Sequence, residues 1–233
     1  LMRVADFIAD YLHRQGVRAI FMLSGTGSIY LDDAFSSQAD MEYICARHEA
    51  AAVLMAEASA KLTGTIGVAV STTGPGGANA FAGVVEAWAD SVPVLVLSGQ
   101  VARNQILEGT RSFGVQGLNI TDNVKNITKY AVRVDDPNSI RYHLEQAIHL
   151  ALSGRQGPVW LDIPMDVQAA KIEHDYLQSF PVPPVAEFSD DCLESVASVI
   201  NMLHKAERPM IVLGQGIRTA GLIPEFKNYK TAD

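Results

Sequence analysis

Glu49 is a carboxylate placed where a strand hands over to a helix. The strand Glu42-Tyr43-Ile44-Cys45-Ala46 leads through Arg47-His48-Glu49 into an alanine-rich helix, expected from about Ala50 to Leu62 and closed by Thr63-Gly64. Such a junction lies at the carboxyl edge of an open α/β sheet, where these folds bind ligands. A second junction of the same kind follows: the strand Ile66 to Ser71, then Thr72-Thr73-Gly74-Pro75-Gly76-Gly77-Ala78-Asn79, then a helix expected from about Asn79 to Trp88. Glycines in that turn let a ligand approach the backbone, and the helix behind it offers free N–H groups. One glutamate and one glycine turn on neighbouring strand ends make a candidate site.

Each feature also has a plainer reading. A carboxylate in the first turn of any helix gains about 0.3–1 kcal/mol from the dipole. Against that, the apolar run from Ala50 to Ala56 places Glu49 near buried surface, where an unpartnered carboxylate is costly. The glycine turn serves equally for tight backbone geometry, and no Gly-Lys-Ser/Thr follows to make it a phosphate loop. Gly25-Thr26-Gly27 after an apolar strand reads as a turn or as a second approach to the site. His48 reads as a base or as a hydrogen-bonded structural residue. The other histidines are scattered singly, so no metal site is expected.

Composition narrows the classes. The chain has 233 residues, 48% hydrophobic and 19% charged, which favours a packed core over disorder. A net charge of -8 argues against a nucleic-acid partner. Cys45 and Cys192 stand far apart with no metal or disulfide spacing, so a reducing, cytoplasmic setting is expected. No apolar run reaches the roughly 18 residues of a membrane span, and no membrane association is expected.

The elements that must position the site alternate helix and strand, the pattern of an open parallel sheet with helices on both faces. A helix from about Arg3 to Gln15 is closed by Gly16; a strand follows at Ala19 to Leu23, and a short helix precedes the Glu42 strand. Pro93 to Gly99 is continuously apolar, as in a strand covered on both faces. Residues 100 to 121 read as a long functional loop. A helix near Ser139 to Leu152 leads to the strand Pro158 to Ile163. The first domain is thus expected over 1–170, with a proline-rich linker over 171–190 that includes Phe180-Pro181-Val182-Pro183-Pro184-Val185. Residues 191–233 read as the incomplete opening of a Rossmann-like domain: a helix from Cys192 to His204, the strand Pro209 to Leu213, and Gly214-Gln215-Gly216. Thr219 stands where a dinucleotide fingerprint has its third glycine. No internal repeat is present.

In order and spacing, residues 3 to 166 resemble the pyrimidine-binding domain of the acetolactate synthase-like, thiamin diphosphate-dependent enzymes. The resemblance rests on Gly16-Val17 with Ser24-Gly25-Thr26-Gly27, Arg47-His48-Glu49-Ala50-Ala51-Ala52, Thr63-Gly64 with Gly67-Val68, and Thr73-Gly74-Pro75-Gly76-Gly77-Ala78-Asn79. It extends through Ala87-Trp88-Ala89-Asp90-Ser91-Val92-Pro93, Ser98-Gly99-Gln100 and Gly157-Pro158-Val159-Trp160-Leu161-Asp162-Ile163-Pro164.

The resemblance implies that Glu49 is catalytic, bonding N1′ of the cofactor's aminopyrimidine and favouring the imino tautomer that activates the thiazolium. Decarboxylation of a 2-oxo acid, ligation of the resulting carbanion to an acceptor, or both would follow. It further implies that Gly25, Thr73, Gly74, Pro75, Gly76 and Asn79 line the cofactor, with His48, Phe113 and Gln116 on the substrate side. Phe113-Gly114-Val115-Gln116 stands where acetolactate synthases carry Phe-Gln-Glu, so the loop's substrate role does not transfer directly. Magnesium (Mg2+) ligands are expected in a C-terminal domain beyond these residues, and FAD in the central domain is left open. Partner copies are expected as a homodimer or homotetramer, and the chain alone is expected to be inactive. The competing expectation is a non-catalytic module kept for oligomer assembly or regulation, which has no need of a carboxylate at Glu49.

Overall fold

The computed structural model describes residues 1–184 and 189–229, which fall into two compact units, Leu1–Pro181 and Val182–Asp233. The first unit runs β1 (Met2–Arg3), α1 (Val4–Arg14), β2 (Ala19–Met22), α2 (Ile29–Ser37), β3 (Glu42–Cys45), α3 (Glu49–Thr63), β4 (Gly67–Ser71), α4 (Pro75–Ala89) and β5 (Val94–Gln100). It continues through α5 (Ile120–Val124), β6 (Tyr130–Arg133), α6 (Ile140–Leu152), β7 (Val159–Pro164), α7 (Met165–Ala169) and β8 (Lys171–Ile172). Six strands pair in the order β3-β2-β4-β5-β7-β6, all parallel.

Each element follows from local sequence. In α1, Val4, Ala5, Phe7, Ile8, Ala9 and Leu12 form one buried stripe at helical spacing. α3 ends on Gly64 at φ 73°, a left-handed cap open to glycine at little cost. β4, β5 and β7 are buried along their whole length, as central parallel strands must be. Their alternating side chains build two cores: Val68, Val70, Leu95, Leu97 and Leu161 pack with α1, α2 and α6, while Ala69, Val96 and Trp160 pack with α3, α4 and α5.

Several expectations need correction. Residues 171–181 are not linker. β8 pairs antiparallel with β1, Leu177 joins the core, and the Phe180 N–H donates to Glu145 Oε2 at 2.8 Å. Residues 185–188 of the expected linker lie outside the described residues. β6 was not expected at all: it is a short, half-buried edge strand without a continuous apolar run. α4 begins at Pro75, four residues before the expected start, because proline suits the first helical position and Gly74 supplies the turn ahead of it.

In the second unit, α8 (Asp190–Lys205) forms with Ser189 as its cap, accepting from the Cys192 N–H at 3.3 Å, and α9 (Gly216–Thr219) and α10 (Ile223–Tyr229) follow. The strand expected at Pro209–Leu213 does not form; these residues take no regular structure and are exposed. A lone strand leaves its backbone groups to water and needs a neighbouring ladder to persist.

Candidate active site at the carboxyl edge of the sheet

Because β2, β4 and β5 are parallel neighbours, the turns that follow them open on the same edge. These turns are laced together. The Gly27 N–H donates to Thr72 Oγ1 at 3.1 Å, and Thr73 Oγ1 donates to the Gly99 carbonyl at 3.0 Å. Gln168, fully buried on α7, donates through Nε2 to the carbonyls of Gly27 and Ile163 at 2.7 and 2.8 Å. Asp32 Oδ2 accepts from Gly25 N and Ser28 Oγ, and burial pushes its carboxyl up to about 6. At Gly99 backbone meets backbone, and a methyl group there would overlap the Gly27 carbonyl. Gly99→Ala is therefore expected to lower unfolding free energy by about 1–3 kcal/mol; an unchanged urea midpoint would contradict this packing.

Glu49 is the first residue of α3 and only 6% exposed. Asn79, one turn into α4, donates through Nδ2 to Glu49 Oε2 at 3.0 Å. Oε1 lies beside the backbone of Gly76, where a Cβ would come within 3.3 Å of it. The two helices can bring these groups together because Gly83 of α4 fits against Val53 and the Ala50 carbonyl of α3. Gly74, at φ 64°, adopts a conformation that only glycine takes readily, and the Gln116 carbonyl fills the space where its side chain would stand.

The residues expected on the substrate side separate. His48 is exposed and caps α3, its Nδ1 accepting from the Ala50 N–H at 3.2 Å. Phe113 is buried, with the Arg133 guanidinium 5.7 Å from its ring centroid. Gln116 meets the glycine turn: Nε2 donates to the Thr73 carbonyl at 3.4 Å. Gly25, Thr73, Gly74, Gly76, Asn79 and Glu49 thus share one strand-edge region, with Gln116 laid against it.

Sequence reasoning used Ser98, Gln100, Trp160 and Asp162 only as a family signature. In the structure they form one buried network. Ser98 Oγ donates to Asp162 Oδ1 at 2.5 Å, Gln100 Nε2 donates to Asp162 Oδ2 at 2.9 Å, and Trp160 Nε1 donates to Ser98 Oγ at 2.8 Å. Burial pushes the Asp162 carboxyl up to about 6, against the pull of the Ser98 and Gln100 hydrogen bonds. Ser71, register-paired with Ser98, has a buried Oγ with no partner among the described residues. The available signal was a run of polar residues inside strands otherwise apolar on both faces.

Residues 2–130 match the family described as thiamine pyrophosphate enzyme, N-terminal TPP binding domain. That is more than half of the chain, and the chain belongs to this family. Among curated proteins it is similar to the chloroplastic acetolactate synthase of Arabidopsis thaliana, 33% identical over 91% of this chain and 31% of the relative. It is 32% identical to the acetolactate synthase large subunit of Lactococcus lactis subsp. lactis and 34% identical to the glyoxylate carboligase of Escherichia coli, in both cases over 97% of this chain and 38% of the relative. The chain therefore spans about a third of the length of the curated relatives it matches.

The donor set fits an aminopyrimidine. A buried carboxylate held by an amide and backed by glycine main chain can meet a flat ring that carries both ring nitrogens and an amino group. Among the described residues no group of three or more His, Cys, Asp or Glu side chains could hold a metal, and no helix is long and apolar enough to cross a membrane.

Proposed function

We propose that this chain is the cofactor-activating part of a thiamin diphosphate-dependent enzyme that decarboxylates a 2-oxo acid, ligates the resulting fragment to an acceptor, or does both. The observation that carries the reading is the buried Glu49 carboxylate, clasped by Asn79 and set against Gly76. The printed activities of the relatives, acetolactate synthases and a glyoxylate carboligase, support the reaction class. Thiamin diphosphate, when bound, supplies the electron sink for breaking and forming bonds at the carbonyl carbon.

The chain's own residues orient that cofactor and control one proton. With the cofactor bound, Glu49 would share a proton with its pyrimidine nitrogen, and its burial would strengthen that hydrogen bond. Asn79 fixes the rotation of the carboxylate through Oε2, which would leave Oε1 for the ring. Gly25, Thr73, Gly74, Pro75 and Gly76 would line the ring with main chain, since the Thr73 hydroxyl is already committed to Gly99. Gln116 faces the substrate, whereas His48 and Phe113 serve to cap α3 and to pack the loop.

Magnesium and the diphosphate are assigned to a C-terminal domain of the longer protein, beyond the third of its relatives' length that this chain spans, and nothing in Gly214-Gln215-Gly216 supports FAD. A reducing, cytoplasmic setting suits the free Cys45 and Cys192. Carbon dioxide release from pyruvate, glyoxylate and further 2-oxo acids, measured on the full-length protein with thiamin diphosphate and magnesium, tests the function. No turnover with any donor would sink it.

The same reading assigns a homodimer. Outward from the cores, α3 and α4 leave Leu54, Met55, Phe81, Val85 and Trp88 each about two-fifths exposed, apolar area that a second copy would cover. Sedimentation is expected to show a dimer that Phe81→Arg with Val85→Arg converts to monomer. A monomer in the unmodified protein would refute this assignment.

A further inference from the structure

Asp162 lies on β7, where every residue is buried and an ionised side chain costs more than an apolar one of similar size. Among the described residues no cation pairs with it directly: Arg133 on β6 is engaged by Asp135 and Glu108. Its oxygens are met instead by Ser98 and Gln100, neutral residues of β5. A bridge between β5 and β7 alone would be redundant, because these strands already share a backbone ladder from Leu95–Val159 to Gln100–Pro164.

The arrangement gains a purpose at Gln100, which is 1% exposed and has every polar group of its amide committed. Nε2 donates to Asp162 Oδ2 and to the Leu118 carbonyl, each at 2.9 Å, and Oε1 accepts from the Val101 N–H at 3.0 Å. Turning the amide over would set its oxygen against two acceptors, so the carboxylate dictates its orientation. Val101 opens the long loop after β5 and Leu118 closes it, so one side chain grips both ends.

Just ahead of Leu118, Phe113 and Gly117 exchange backbone hydrogen bonds at 2.8 Å, and Gly117 packs on Gln100 Oε1. The turn between them delivers the Gln116 carbonyl to Gly74. Two further ties of the loop, Arg103 to Asp166 and Arg133 to Glu108, are ion pairs with at least one partner in solvent and hold less firmly.

We propose that Asp162 is a positioning residue for the substrate-side loop: by orienting Gln100 it sets where the Phe113–Gln116 turn stands against the Gly74 turn. The assignment rests on the reading of Gln116 as substrate-facing. It extends that reading to residues that touch neither substrate nor cofactor.

Amide hydrogen exchange on the 233-residue chain, expressed as protection over intrinsic rates, tests the link without cofactor or substrate. Asp162→Leu is expected to lower protection across residues 101–119 about tenfold while β4 and β5 keep theirs, and Asp162→Asn, which can still accept from Gln100, is expected to restore most of it. Should the leucine variant fail to fold, Gln100→Met leaves Asp162 on Ser98 and severs only the loop, with the same tenfold loss expected.

Loss spread equally over β5, β7 and the loop, or unaltered loop protection in Gln100→Met, would overturn the proposal. In the full-length protein Gln100→Met is further expected to raise the KM for the 2-oxo acid while leaving thiamin diphosphate affinity unchanged; a purely structural role would weaken substrate and cofactor binding together. Exchange does not depend on Glu49, so failure here leaves the proposed chemistry standing, and failure of that chemistry leaves the exchange result readable.

Discussion

Glu49→Gln in the full-length protein is expected to lower kcat by about 10²–10⁴-fold, the range associated with losing a positioned proton-transfer group. Glutamine keeps the length of the side chain and its bond to Asn79, so the first turn of α3 should survive. What it cannot do is share a proton as a carboxyl group does. Thiamin diphosphate affinity should fall far less than turnover, because the glycine main chain still lines the ring. Asn79→Ala should cost less, about tenfold, since it removes one hydrogen bond and leaves the carboxylate in place. Turnover measured by carbon dioxide release at saturating cofactor decides the matter: equal rates in wild type and Glu49→Gln would end any catalytic role for Glu49.

Asp162→Asn should reshape the dependence of stability on pH. The folded-state carboxyl sits at about 6 because of burial, against 3.8 for the group in water. The folded state therefore binds this proton more tightly than the unfolded chain does. The stability contributed by this group is fully present below about 3.8 and is lost as pH rises through about 6. A gap of roughly two pH units corresponds to about 3 kcal/mol. Urea unfolding between pH 4 and 7.5 is expected to show the wild type losing about that much relative to Asp162→Asn, which does not titrate. A difference between the two proteins that stays constant over this range would contradict the burial argument.

Much of the fold was legible because parallel strands and their helices write long signals. β4, β5 and β7 are apolar runs, and α3 is bounded by the Glu49 junction and the Gly64 cap. β1 and β8, two residues each, carry no pattern of their own and exist only through each other. β6 is half-buried at the sheet edge, too short and too polar in its surroundings to stand out. Pro209–Leu213 erred the other way: it has a strand's composition but no neighbour to pair with. In the site, Glu49 was visible from its place between strand and helix, whereas its bond to Asn79 depends on how closely α3 and α4 pack. Asp162 looked like one charged residue in an apolar run; only the register with β5 reveals Ser98 and Gln100 beside it. Phe113 packs in the core and His48 caps α3, placements that depend on tertiary packing and on the helix start and not on the motif.

The pairing of Met2 with Ile172 brings the first residues of this sheet domain to within roughly 5 Å of its last strand. The seam that joins those ends is a two-residue ribbon. A domain whose ends meet behaves like a cassette: it can be spliced between other segments of a longer polypeptide, or rejoined and reopened elsewhere, with little strain on what it encloses. The ribbon thus acts as a clasp on the two ends of the sheet domain.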